Sequence, residues 1–221
     1  MSNLTLTKAE LTRLLSAFAW ISFGIFALIA FIQFETLQKH YWLGLRYMSY
    51  GITAASAALF FFITWAWKWS WVARLMRRSV VHGVWAGRLQ SDFKKEGGGS
   101  VDLPIVFVIR QTYLTLSVRS LTRSQRGTSS LEALSRDEKT QDTHLSYVFK
   151  LDQPWVPGGK YGSGAGELQL EASDTILRGV YWTDSPTHGT LRLKRVSPDV
   201  EGISCFEDAL RKFPAFDRAE L

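Results

Sequence analysis

Five aromatic and basic side chains in the second half of the chain have the chemistry to hold a flat, anionic ligand: Trp85, Arg110, Tyr147, Tyr181 and Arg195. Aromatic rings stack on flat heterocycles, at about 1 to 3 kcal/mol per base where this occurs. A guanidinium can hold a phosphate through two parallel hydrogen bonds. We therefore predict these five as ligand-binding residues, provided that the fold brings them together.

A structural role competes with the binding role for several of them. Trp85 lies between two glycines in Gly83-Val84-Trp85-Ala86-Gly87, where an indole can fill the closed end of a barrel while the glycines allow neighbouring backbone to approach. Arg110, Arg119 and Arg195 stand at the ends of predicted strands. Each of them either binds a phosphate at the barrel mouth or remains a solvated edge residue.

Signatures of catalysis and of metal binding are weak. The histidines are scattered, without a second ligand one helical turn away, and the single cysteine, Cys205, excludes an intramolecular disulfide and a Cys-based zinc site. No local pattern indicates an activated nucleophile or a carboxylate pair. The glycine-rich stretch PGGKYGSGAG (157–166) lacks the phosphate-loop order and does not open a helix, which favours a mobile hairpin loop. We expect a protein that is not an enzyme and has no cofactor.

The predicted ligand-binding residues lie in short segments in which apolar and polar residues alternate. This alternation predicts an all-β domain over residues 80–221. Leu145, Tyr147, Phe149 and Leu151 share one face of their segment, and by the same parity Trp85 and Tyr181 point inward. We expect a small antiparallel, about eight-stranded, lipocalin-like β-barrel. The predicted strands are 83–90, 103–110, 112–120, 144–151, 166–173, 175–182 and 189–196, with a weaker one within 129–135.

A C-terminal helix is predicted at about 204–213. Ser204 and Glu207 have the spacing of a capping box, and Pro214 ends the apolar pattern. We expect this helix to plug or flank one end of the barrel.

Residues 1–79 predict a two-helix transmembrane hairpin. Residues 14–34 and 47–67 each contain no charge, and about 20 apolar residues suffice to span a bilayer. The first run is too long for a signal peptide and lacks a cleavage site, and the loop between the runs is short, so the helices form an antiparallel pair. Gly51-x-x-x-Ala55 and Ala54-x-x-x-Ala58 allow close approach, either within the hairpin or between several hairpins.

The second span continues to about residue 71 through four alternating tryptophans, Trp65, Trp67, Trp69 and Trp71. Projected on a helix they form an aromatic belt at headgroup level, and the basic residues that follow, through Arg78, indicate the cytoplasmic side. All of the net charge of +6 lies in residues 1–79, whereas 18 basic and 18 acidic residues balance from Val80 onward. We therefore expect both termini and the barrel in the cytoplasm, and no DNA or RNA partner.

The whole arrangement resembles one family: two spans, a tight loop, a basic exit and a barrel that begins with GVWAG and ends with GVYWTDSPTHGTLRLKR. It is similar to the SMODS-associated two-transmembrane, β-strand-rich effectors of CBASS, a bacterial anti-phage defence system. The resemblance implies that the barrel binds a cyclic dinucleotide made by a partner nucleotidyltransferase. It further implies that the hairpins then form a homo-oligomer, disrupt the inner membrane and kill the infected cell. The matching residues are Gly83, Trp85, Gly87, Gly179, Tyr181, Gly189, Leu191 and Leu193.

Two alternatives use the same elements. A membrane-tethered, lipocalin-like module would carry a lipid or another small apolar ligand, because the predicted inward face is apolar. A passive interaction protein would have a barrel filled by its own side chains.

Overall fold

The fold was analysed in a computed structural model, which describes residues 3–4, 8–40, 42–69, 72, 79–92, 101–137, 139–140, 142–153, 161–171, 175–185 and 187–214. The chain forms two compact units. One comprises Leu6–Val72 with Thr112–Leu114, and the other comprises Met1–Thr5, Ala73–Gln111 and Thr115–Leu221. The predicted fold class is confirmed: two long apolar helices precede a closed eight-stranded antiparallel β-barrel and a short C-terminal helix.

The helical unit contains α1 (Lys8–Ile32), α2 (Phe34–Lys39) and α3 (Leu43–Thr64). Two stretches are long and apolar enough to cross a membrane, Glu10–Ile32 with mean hydropathy 2.3 and Leu43–Thr64 with mean hydropathy 1.4. At about 1.5 Å per residue, the shorter stretch is about 33 Å long, which matches the hydrocarbon thickness of a bilayer. The short helix α2 was not predicted.

Small residues allow α1 and α3 to pack closely. Gly51 and Ala55 are buried, and a Cβ built at Gly51 would lie 2.8 Å from the carbonyl oxygen of Ser22. Any larger residue would push the helices apart. Ala54 and Ala58 are exposed, so only the first of the two small-residue motifs packs within the hairpin.

The α-helix of the second span does not continue to residue 71 as predicted. The α-helix ends at Thr64, whose hydroxyl donates to the carbonyl of Phe60 at 2.8 Å, and a 3-10 turn at Ala66–Lys68 follows. Trp67 is only 1% exposed and lies with its ring 6.1 Å from that of Tyr113, which belongs to the same unit.

Because the α-helix ends at Thr64, the tryptophans that follow do not occupy the helical positions that were predicted for them. Trp65 and Trp69 are exposed whereas Trp67 is buried, so these three do not form an even belt. Trp71, Arg74, Arg77 and Arg78 lie outside the described residues.

The barrel is an up-and-down meander in which each strand pairs with the next. The barrel closes because its last strand, 188–197, pairs with its first, 83–91. Strands 115–121 and 126–136 are joined by three residue pairs. A two-residue strand, β1 (Asn3–Leu4), adds to the edge of Thr115–Leu121. The eight barrel strands are β2 (Gly83–Ser91), β3 (Val101–Gln111), β4 (Thr115–Leu121), β5 (Arg126–Arg136), β6 (Thr143–Asp152), β7 (Gly162–Leu170), β8 (Ile176–Thr183) and β9 (His188–Ser197).

The predicted assignment of side chains to the inner face of the barrel is confirmed. Trp85, Leu145, Tyr147 and Tyr181 are buried in one interior core. In β5 a bulge between Ser129 and Leu131 shifts the alternation by one residue. Leu131 consequently faces outward and Glu132 is buried.

The C-terminal helix α4 (Phe206–Lys212) packs along the wall of the barrel and not over an end. Phe206 and Ala209 pack on the outward-facing side chains of β2 and β3, with Val84 and Ala86 at the centre of this second core. The predicted capping box is shifted by one residue. Cys205 is the N-cap, and the carboxylate of Asp208 accepts hydrogen bonds from the N–H groups of Ser204 and Cys205 at 2.9 and 3.2 Å.

Candidate ligand-binding cavity

The barrel encloses a cavity of about 370 Å³ that is open at one end. This volume falls in the lower part of the range for small-molecule sites, about 300 to 1,000 Å³. Its wall is mostly aliphatic and aromatic, and polar groups lie around its mouth on the turns between strands. The lining includes Leu89, Ile105, Phe107, Tyr147, Phe149, Tyr181 and Leu191 on the wall, and Thr122, Gln125, Thr183, Asp184 and Thr187 at the mouth.

Two of the five predicted ligand-binding residues, Tyr147 and Tyr181, line this cavity. Their strands flank β7, and both pair with Gly166. A Cβ built at Gly166 would lie 2.7 Å from the phenol of Tyr147, and one at Gly189 would clash with the ring of Tyr181. The missing side chains at these glycines therefore make room for the two rings.

The same geometry corrects the prediction of a loop over residues 157–166. Residues 162–166 belong to β7, where Gly164 lies under Phe149 as Gly166 lies under Tyr147. Glycine weakens an isolated strand, but here neighbouring aromatic rings fill the space that the glycines leave. Residues 157–160 lie outside the described part of the chain.

Both phenols are in the neutral form at physiological pH. Burial raises the pKa of Tyr147, and the neighbouring Tyr181 raises it further. Burial also raises the pKa of Tyr181, partly offset by a hydrogen bond with Ser91. Each phenol therefore keeps its proton, so the wall of the cavity offers hydroxyl groups that can donate a hydrogen bond and rings that can stack.

Trp85 and Arg195 belong to the closed end of the barrel. The indole of Trp85 is fully buried and its Nε1 donates to the carbonyl of Val81 at 2.9 Å. The guanidinium of Arg195, directly opposite on β9, lies 5.8 Å from the centre of the indole and donates to the carbonyl of His82. This cation–π pair closes the end, and neither residue lines the cavity.

A buried glutamine completes the closed end, and the sequence alone did not indicate it. Gln111 is 2% exposed, and its Oε1 accepts hydrogen bonds from the N–H groups of Val81 and His82 at 2.8 and 3.1 Å. Its Nε2 donates to the carbonyl of Ser79 at 3.1 Å. The sequence does place a polar residue, Gln111, at the inward position that follows Ile109. Its hydrogen-bond partners, however, belong to residues 79–82, which are distant in sequence.

Arg110 lies outside the barrel. It is exposed on β3 between the inward-facing Ile109 and Gln111, so it cannot reach the cavity. Arg119 also faces outward on the next strand, where burial lowers its pKa and the nearby Arg110 and Arg126 lower it further. The five predicted residues thus occupy three different places: the cavity wall, the closed end and the outer surface.

The mouth of the cavity carries an ionised carboxylate. Asp184 accepts hydrogen bonds from the N–H and hydroxyl of Ser163 at 2.8 and 3.0 Å and from the N–H of Ser185 at 2.8 Å. These bonds lower the pKa of Asp184. Within the described residues, no lysine or arginine lines the cavity, and Asp184 is the charged side chain of the lining.

Metal ligands are not grouped in the described ranges: no cluster of three or more His, Cys, Asp or Glu side chains could hold a metal ion there. The cavity has an apolar wall, two aromatic rings that can stack and a polar mouth. Neither a protein-family model nor any curated protein matches the chain.

Proposed function

We propose that this protein is a membrane-anchored, non-catalytic receptor for a small ligand. The helices α1 and α3 hold it in the bilayer, and the ligand occupies the interior of the barrel. One observation carries the proposal: the barrel retains a cavity of about 370 Å³ with two phenols on its wall and a polar mouth. Barrels of eight strands either fill with side chains or hold one small ligand.

In its specific form the receptor is an effector of cyclic-oligonucleotide anti-phage signalling in a bacterial inner membrane, with both termini in the cytoplasm. A partner nucleotidyltransferase makes the cyclic dinucleotide that enters the barrel. The ligand then drives homo-oligomerisation of the hairpins and disrupts the membrane. The support is the resemblance in architecture, the two candidate spans and the two rings on which bases can stack.

The energetics of such a switch set a requirement on the ligand. It must bind the assembled state more tightly than the resting one, and about 5.5 kcal/mol of difference moves a population from 1:99 to 99:1. The exposed Ala54 and Ala58 leave a small-residue surface on α3 for contact between hairpins.

A second candidate is favoured by the composition of the wall. Because the described lining is largely apolar and contains no lysine or arginine, a lipid-like ligand fits it better than two phosphates do. In this form the protein is a membrane-tethered, lipocalin-like carrier, with the hydrocarbon part of the ligand inside and its polar group at the mouth.

The test uses the full chain in liposomes that contain a self-quenched dye, together with a panel of cyclic di- and trinucleotides. The effector form predicts dye release and a raised Tm with one member of the panel. Mass spectrometry of solvent extracts from the purified protein checks the carrier form, which predicts one co-purified lipid in stoichiometric amount. A folded protein that responds to no cyclic oligonucleotide and carries no lipid contradicts both forms.

A further inference from the structure

Three arginines form a row on the outer surface of the barrel. Arg192 on β9 lies directly opposite Arg178 on β8 and directly opposite Arg88 on β2. Side chains at such positions have Cβ atoms about 4.5 to 5.5 Å apart, and like charges there destabilise a sheet. We call Arg178, Arg192 and Arg88 the arginine row.

Among the residues that the structure describes, a carboxylate partner is found for one member of the row. The Nε of Arg88 donates to both carboxylate oxygens of Asp102, at 2.9 and 3.0 Å. Arg178 and Arg192 have no hydrogen-bond or ion-pair partner in the described part of the chain. A carboxylate on the adjacent strand, Glu167, lies 3.5 Å from the imidazole of His144 instead.

The row lines a groove in the surface of the barrel. This groove has a volume of about 500 Å³, and Gln90 and Thr190 lie in it beside the three guanidinium groups. Gln90 is directly opposite Thr190 in the neighbouring row of the same sheet. Arginine, glutamine and threonine side chains thus line one depression, and guanidinium, amide and hydroxyl groups are donors suited to phosphate oxygens.

We propose that the arginine row binds a phosphate-bearing anion, either the headgroup of an anionic phospholipid or a soluble phosphate ester. Two adjacent guanidinium forks match the oxygens of one phosphate, and the bound anion relieves the repulsion within the row. The site is on the opposite face of the sheet from the cavity. It goes beyond the proposed function and does not depend on it.

The experiment measures anion binding by the full-length protein in a neutral maltoside detergent at low ionic strength. Pyrophosphate is the soluble probe, and dioctanoyl phosphatidylglycerol is compared with dioctanoyl phosphatidylcholine as the lipid probe. The test variant is R178Q/R192Q. The control is K139Q/K150Q, which removes the same charge from exposed positions on another part of the barrel.

For wild type we expect saturable binding of at least one anionic probe by calorimetry, weakened by added salt. R178Q/R192Q should weaken it at least about tenfold, because charge-assisted hydrogen bonds are lost, while the control stays within about twofold. Binding of pyrophosphate identifies a soluble phosphate ester. Binding of phosphatidylglycerol without pyrophosphate or phosphatidylcholine identifies a lipid headgroup.

The proposal is overturned if wild type binds neither anion, if it binds phosphatidylcholine as well as phosphatidylglycerol, or if both double variants behave alike. Circular dichroism checks the fold, and R178K/R192K, which keeps the charge but loses the forks, should weaken binding to an intermediate degree. The anion probes do not require the cavity, so this experiment can be interpreted even if the receptor function is disproved. Likewise, the tests of co-purified lipid and of cyclic-nucleotide response can be interpreted even if the arginine row binds no anion.

Discussion

The inner and outer faces of β8, β9 and β2 have opposite chemistry. On β8, Gly179 and Tyr181 point inward while Arg178 and Trp182 point outward. The wall of the cavity is mostly apolar with two neutral phenols, and the outer face of the same strands carries the arginine row. Within the described residues, the phenol rings of the cavity wall and the guanidinium groups of the arginine row are thus separated by the thickness of the sheet, so one small ligand cannot contact both.

The largest effect is expected from the indole at the closed end of the barrel. Trp85→Ala should lower the free energy of unfolding by about 3 to 5 kcal/mol, because it removes a fully buried ring and the cation–π contact of that ring with Arg195. Trp182→Ala, on the outer face, should change it by about 0.5 kcal/mol or less. Urea unfolding measures both, and equal effects would contradict the assignment of the two faces.

A smaller loss of stability is expected where glycine makes room for the rings. Gly166→Val should cost about 1 to 3 kcal/mol, because its side chain overlaps the phenol of Tyr147. The neighbouring Ala165→Val, which points outward, is the matched control and should be almost neutral. The Tm of each variant gives the comparison, and a stable Gly166→Val protein would show that the wall is looser than described.

A smaller effect, on ligand affinity, distinguishes the inner face of β8 from its outer face. Tyr181→Phe removes one hydroxyl from the cavity wall and should weaken binding of an interior ligand by about 0.5 to 1.5 kcal/mol. Arg178→Gln on the same strand should leave interior binding unchanged. Calorimetry or retention of the co-purified ligand measures this difference. The cavity would not be the site if Arg178→Gln had the larger effect.

The smallest effect concerns acid stability at the mouth. Hydrogen bonds from Ser163 and Ser185 lower the pKa of Asp184 from its usual value of 3.8, so the folded state binds the proton less readily than the unfolded state does. The ionised group stabilises the fold above pH 3.8, and this contribution disappears as the pH falls through the folded-state pKa.

Asp184→Asn should therefore lower the Tm at pH 6 by more than it does at pH 3. Thermal unfolding across this range checks the expectation, with Asp142→Asn, at a partly exposed position between β5 and β6, as the control. A Tm difference that grows toward pH 3 would contradict the hydrogen-bonded, ionised carboxylate.

Patterns of consecutive residues predicted most helices and strands. They failed where contacts with residues distant in sequence determine the local structure. Alternation located all eight barrel strands, including β5, despite its bulge. The glycines of β7 were assigned to a loop because their aromatic partners lie on β6, and α3 was extended because the burial of Trp67 is not visible in a helical projection. The capping box was one residue early, since Ser204 and Cys205 both donate to Asp208.

The lining of the candidate cavity was predicted only in part. Parity placed Tyr147 and Tyr181 inside correctly, but it did not distinguish the cavity from the closed end, where Trp85 and Arg195 pack together. Arg110 was predicted from its position at a strand end, whereas its outward parity removes it from the cavity.

By itself, the sequence determined which segments can cross a bilayer and which side chains share a face of each strand, because hydropathy and the two-residue period are properties of consecutive residues. Only the tertiary structure decided which end of the barrel is closed, where its cavity lies and which arginines stand side by side. These depend on strand register and barrel closure. Register is set by pairings between distant residues, and a shift by one residue would exchange the two faces.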